Sequence, residues 1–192
     1  SWTEAALEDT ASICGAARTM ADQGGLDGIF IATGLLHDGC TRPEKSLREL
    51  TEANLTNAYL ANAAQPLLLI AALKPVLKQA KVPFACLLSA QVGSIADNRL
   101  GGWYGYRMAK AALNMGIRTA AIELAREHIP TRLLAVHPGT TRTALSSPFI
   151  QRRRSPVATP EETAACILDM LDGPAAIESG SFVRCDGTPL PW

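Results

Sequence analysis

The strongest constraint on this chain is an alternation. Four short apolar runs, Leu26–Ala32, Phe84–Leu88, Arg132–Val136 and Ser181–Cys185, are separated by longer stretches with helical spacing of small and apolar residues. Strand and helix in strict alternation call for right-handed crossovers, and hence for a parallel sheet with helices on both faces. The expectation is an α/β fold: a doubly wound parallel sheet, three layers α/β/α, with strands near 26–32, 84–89, 132–137 and 181–185. Ligands in such sheets sit beyond the carboxyl ends of the strands. Those ends read Ala32-Thr33-Gly34, Ser89-Ala90 and His137-Pro138-Gly139.

The segments between fit the crossovers. Asp9–Gln23 has helical spacing and stops at Gly24-Gly25. A long helical stretch runs from about Ser46 to Gln79, with an interruption expected near Pro66 and an end near Pro75. A third helix, opening after Gly101-Gly102, ends near His128-Ile129-Pro130. Thr159 as cap, Pro160 at the first helical position and the acids Glu161 and Glu162 open a fourth. The 192 residues suit one domain, 1–192, without repeats or low-complexity tracts.

Charge and cysteine usage remove several functions. Lys plus Arg and Asp plus Glu both total 18, so no net field steers the chain to nucleic acid or to an anionic membrane. Arg152-Arg153-Arg154 is the one local basic cluster. Cys14, Cys40, Cys86, Cys166 and Cys185 are odd in number and far apart in sequence. That argues for reduced thiols in a cytoplasmic compartment, without a disulfide framework or zinc site. His37, His128 and His137 have no ligand spacing, so no metal is expected. The longest strongly apolar run, Pro66–Leu73, is too short to span a bilayer, and no signal peptide is visible. The chain opens at Ser1 rather than Met.

Chemistry concentrates in Gly101–Leu124. Tyr106 and Lys110 are four residues apart, and Leu113, Ile117, Ala120 and Leu124 continue an apolar stripe. On a helix the phenol and the ammonium would project from one face about a turn apart. A fixed positive charge beside a phenol favours phenolate, so Tyr106 is expected to have a lowered pKa and to serve as a proton donor or acceptor.

With these strand ends in place, the chain resembles a short-chain dehydrogenase/reductase, most closely the C-factor-like and carbonyl-reductase-like branch. The resemblance rests on Ala32-Thr33-Gly34 after a strand, on Tyr106-x-x-x-Lys110, and on Pro138-Gly139 with Thr143. The loop before the lysine and the ending DGTPLPW are similar to that branch. The resemblance implies a Rossmann-like fold binding NAD(P)(H), with NADP favoured, and a small-molecule carbonyl or alcohol substrate. It implies Tyr106 as general acid/base and Lys110 as the group that tunes it and binds the nicotinamide ribose. Ala32, Thr33, Gly34, Pro138, Gly139 and Thr143 would border the cofactor. Asn62, 13 residues before Pro75, has the spacing of the family's catalytic asparagine, with Asn54 and Asn57 as rivals. Homo-oligomer formation is left open.

Three departures accompany the resemblance. The usual substrate-orienting serine aligns with Ala90; Ser94, first choice, or Ser89 would have to replace its hydroxyl. The usual Asn-Asn-Ala-Gly reads Ile31-Ala32-Thr33-Gly34. Ser1–Gly25 holds no Gly-x-x-x-Gly-x-Gly loop, so the first β-α-β portion that binds pyrophosphate is not among these residues. Two functions therefore compete: an NAD(P)-dependent carbonyl reductase or alcohol dehydrogenase whose opening segment is missing, and a non-catalytic binding or signalling protein on the same fold.

Overall fold

The four runs form one parallel sheet. A computed structural model describes residues 9–22, 26, 28–38, 42–78, 84–151, 157–173 and 177–192. The strands are β1 (Ile29–Ile31), β2 (Phe84–Leu88), β3 (Arg132–His137) and β4 (Ser181–Arg184), and they lie in the order β1-β2-β3-β4. Every pair is parallel, with Ile31 opposite Leu87, Leu88 opposite Val136 and His137 opposite Arg184. This register brings Ala32, Ser89 and Pro138 to one edge of the sheet.

The first strand is shorter than 26–32. Gly28 already packs against the ring of Phe84, where a Cβ would collide with it. Among the described residues β1 pairs on one side only, with β2.

Successive side chains point to opposite faces, so each strand feeds two cores. Ala85, Leu87, Leu133, Ala135 and Phe182 meet Ile70, Leu73, Leu113 and Ile117 on one face. Those last four belong to α3 (Gln65–Leu77) and α4 (Tyr104–Arg126). Cys86, Leu134, Val136 and Val183 meet Ile167, Met170 and Leu171 of α6 (Pro160–Asp172) on the other. Burial on both faces is why β2 and β3 read as continuous apolar runs. The three-layer expectation holds, and α6 carries its capping box between Thr159 and Glu162. α1 (Thr10–Asp22) packs against α3.

The long stretch before β2 is interrupted near Pro66, as expected, by a change of helix type. α2 (Glu52–Tyr59) passes through a π turn, Leu60–Ala64, into α3, and the Gln65 N–H donates to the Leu60 carbonyl. This is the interruption near Pro66, which has no N–H to continue an α ladder onto Asn62. The helix ends at Leu77, two residues past Pro75, which it takes in as an interior proline. An interior proline costs about 3 kcal/mol. Val76 and Leu77, each 1 % exposed, offset it at roughly 1.5–3 kcal/mol apiece. Glu52–Leu77 is long and apolar enough, by length and composition, to cross a membrane. In this fold its inner face closes the core over the sheet.

Candidate active site

The site begins with a turn that aims a helix. Gly101 and Gly102 have φ of +65°, and Trp103 follows at φ 54°, so three successive residues are left-handed before α4 starts. Glycine takes this conformation freely, whereas tryptophan does not. What holds Trp103 is Glu44, a buried carboxylate reaching over from the loop ahead of α2. Its backbone carbonyl accepts from the Trp103 N–H and its Oε2 accepts from the Gly105 N–H at 3.1 Å. An anion there also complements the positive end of a 23-residue helix. Arg107 adds bonds from Nε to the Gly102 carbonyl at 2.9 Å and from Nη1 to that of Val92 at 3.2 Å.

This turn sets Tyr106 and Lys110 at the carboxyl end of β2. Lys110 is 2 % exposed, and its Nζ donates to the Leu88 carbonyl at 2.8 Å. The same Nζ stands 5.7 Å from the centre of the Tyr106 ring. Burial pushes the Lys110 ammonium down to about 8. Burial also pushes the Tyr106 phenol up to about 12, opposite to the lowering expected from its neighbour. The expected sign fails because desolvation disfavours both charged forms, and the ammonium is turned to a backbone carbonyl.

Asn62 joins this pair. It is fully buried in the π turn, where its Nδ2 donates to the carbonyls of Leu35 at 2.8 Å and Ala58 at 3.0 Å. Its Oδ1 accepts from the Leu35 N–H at 2.9 Å. These bonds pin the segment after β1 to the helix. A Cβ on Gly34 would lie 3.4 Å from Asn62 Oδ1 and 3.8 Å from Lys110 Nζ. Gly34 thus brings bare backbone between the two side chains. Asn57 is exposed, and the Asn54 N–H serves the Thr51 cap of α2.

The serines fall elsewhere. Ser89 is buried and donates to Asn114 Oδ1 at 2.6 Å, within the α4 contact. Ser94, expected on an open loop, is 2 % exposed. Its hydroxyl donates to the Trp192 carbonyl at 3.2 Å and accepts from the Asp97 N–H at 3.0 Å, so it ties the loop to the chain end. Its one proton is therefore turned away from the role sequence gave it. Ala90 is partly exposed. Thr33 has a buried hydroxyl without a hydrogen-bond partner. Gly139 follows Pro138 at φ 78°, and Thr143 folds onto Ser146 through its N–H, at 3.0 Å.

An aromatic wall lies beside the phenol. Trp103 is 6.4 Å from Tyr106 and 5.0 Å from Phe149, centre to centre, and Phe149 is 5.8 Å from His37. Phe149 sits on α5 (Ser147–Ile150), and His37 Nε2 bonds the Leu145 carbonyl at 3.1 Å. Neither Glu44 nor His37 had been singled out from the sequence as a site residue. Glu44 lies 61 positions before Gly105 and His37 lies 108 before Leu145, so no spacing rule reaches them.

A parallel sheet that gathers a tyrosine, a lysine and an asparagine beyond its strand ends defines an α/β oxidoreductase of the Rossmann-like class. A family profile described as enoyl-(acyl carrier protein) reductase matches residues 5–187. C-signal of Myxococcus xanthus is 33% identical over 147 residues, 77% of this chain and 84% of that protein. Short-chain dehydrogenase srdF of Neurospora crassa is 32% identical over 97% of this chain and 74% of its own length. The NADPH-bound carbonyl reductase from chicken fatty liver superposes with a TM-score of 0.82 at 27% identity, over 98% of this chain and 75% of that one. The chain belongs to the short-chain dehydrogenase/reductase family, in its carbonyl-reductase-like branch, and is an enzyme of that type.

Proposed function

We propose that the protein reduces small carbonyl compounds, or oxidises the corresponding alcohols, with a nicotinamide cofactor, NADP(H) in preference to NAD, and with Tyr106 as the general acid/base. The observation that carries this reading is the group of half-buried Tyr106 with buried Lys110 and Asn62, the last two closing on Gly34. The unpartnered Thr33 hydroxyl beside that bare backbone fits the nicotinamide end of such a cofactor. Ala32, Thr33, Gly34, Lys110, Pro138, Gly139 and Thr143 would hold it. The preference for NADP(H) follows the NADPH-bound chicken reductase.

When bound, the nicotinamide supplies or accepts the hydride. Tyr106 keeps its proton at neutral pH, because burial holds the phenol up near 12, and gives it to the substrate oxygen as that oxygen becomes basic. In the reverse direction the same oxygen takes the alcohol proton. Lys110 lowers the cost of the phenolate left behind. Asn62 fixes the backbone around Leu35, and the replacement proton would reach Lys110 through water beside that backbone. With Ala90 lacking a hydroxyl and Ser89 and Ser94 engaged within the fold, the substrate oxygen relies on Tyr106 and solvent. The aromatic wall of Trp103 and Phe149 suits an uncharged, modestly polar substrate.

Those same serines favour a second reading, a binding or signalling protein without turnover. NADPH oxidation by a panel of ketones and aldehydes separates the two. The wild type should turn over and Tyr106→Phe should lose ~10²–10⁴ in rate while binding NADPH unchanged. Equal rates in both would remove Tyr106 from the chemistry. NADPH binding with no turnover by either protein would establish the second reading. Ala90→Ser should raise kcat, by up to ~10², because one missing oxyanion donor typically costs 10²–10³.

A further inference from the structure

Two cysteines far apart in sequence meet in the fold. Cys166 and Cys185 bring their sulfurs to 2.7 Å, both reduced and both partly exposed. One is on a helix and the other stands where a strand turns out of the sheet. Cys166 sits on α6 one residue before Ile167, whose side chain is in the core. Cys185 is the first residue after β4; its N–H donates to the His137 carbonyl at 3.0 Å, and it packs against the same core. The contact is therefore set by the packing of α6 on the sheet and by the turn residue that leaves β4. Cys86 is shut inside the core, and Cys14 lies on α1.

We infer that Cys166 and Cys185 form a dithiol site that undergoes exchange with small-molecule disulfides such as glutathione disulfide, closing a reversible bridge between α6 and the end of β4. The exchange balances in two displacements. The Cys185 thiolate attacks one sulfur of glutathione disulfide, forming a mixed disulfide and releasing one glutathione thiolate. The Cys166 thiolate then attacks the Cys185 sulfur, forming the intramolecular bond and releasing the second glutathione. Two electrons pass from the protein thiols to glutathione disulfide, and the two thiol protons end on glutathione.

The order of attack follows from the surroundings. Burial, the Cys185 thiol and the carboxylates of Asp186 and Asp169 push the Cys166 thiol up to about 12. Few Cys166 thiolates exist at neutral pH, so Cys166 acts second, on a sulfur already held against it. The reaction is accordingly faster at higher pH.

The test uses the whole reduced chain with glutathione disulfide at mildly alkaline pH. Free thiols are counted after unfolding, and peptides are mapped by mass spectrometry. Two of the five thiols should disappear, no glutathione should remain attached, and one linked peptide pair should join Cys166 to Cys185. Dithiothreitol should restore all five. Cys166→Ser should instead trap glutathione on Cys185, and Cys185→Ser should leave Cys166 unmodified. Five surviving thiols, glutathione stably retained by the wild type, or a link between other cysteines would each overturn the inference.

Discussion

A lysine stands at each end of α4, one its own and one reaching over from α3, and the two are shifted in opposite directions. At the site end, Lys110 is buried against a backbone carbonyl, and its pKa falls to about 8. At the other end, Lys74 of α3 reaches across to Glu123 and Glu127 at 2.6 Å each, and its pKa is raised by those two bonds. Glu127 is lowered in turn, first by its bond to Lys74. One cation is held without a carboxylate partner, and the other is partly exposed with two. The site end keeps a charge the fold would rather not have, whereas the far end is arranged for mutual satisfaction in water. Strain of the first kind persists where surrounding structure over-determines it, and here Glu44, Asn62 and Gly34 do so.

Replacing both lysines tests that contrast. Lys110→Met should lose about 10² or more in turnover. It should also gain stability at neutral pH. Folded Lys110 releases its proton near 8, against 10.5 when unfolded. Between those values the unfolded chain binds more protons, so wild-type stability rises with pH, while below about 8 the full burial penalty applies. Urea midpoints should favour the variant at pH 7 and converge as pH approaches 10.5. A gap independent of pH would show that the buried charge is not what costs stability.

Gly105→Val probes the packing of the site end. A Cβ there would come within 3.1 Å of both Glu44 Oε1 and the Ala58 Cβ. Overpacking of this kind costs about 1–3 kcal/mol, and the α4 start should shift with it. An unchanged midpoint and rate together would mean that Glu44 moves aside freely.

The smallest effect belongs to Lys74→Met. Exposed pairs are screened, so its midpoint should move little, and less still in high salt. Lys74, raised in the fold, contributes below its unfolded value, and Glu127, lowered, contributes above its own; the small difference should vanish as acid protonates Glu127.

Sequence carried the strands β2, β3 and β4 almost to the residue, because doubly buried strands are written as apolar runs between turn residues. It also placed Tyr106 beside Lys110, by spacing on one helix, whereas Asn62, on another helix, came in only through the family resemblance. What it could not carry were meetings between distant segments. Nothing near Pro43-Glu44 announces that this carboxylate caps a helix 61 positions on. Ser94 reads as a loop hydroxyl until Trp192 returns to cover it. The sign of the Tyr106 shift was misjudged for the same reason: the cation is visible in sequence, and the burial that overrides it is not. Cysteine spacing likewise gave no hint that Cys166 faces Cys185.

The order β1-β2-β3-β4 bears on how the chain assembles. Spatial order equals chain order, so none of these strands must be inserted between two that are already paired. During vectorial synthesis each strand can dock on the one made before it, and each docking closes a single crossover. Because those crossovers are long, every pairing is non-local, and such sheets form slowly. Until β3 and β4 arrive, β2 presents an open apolar edge to other chains, so the interval before they are made is a stage at which the chain is exposed to aggregation.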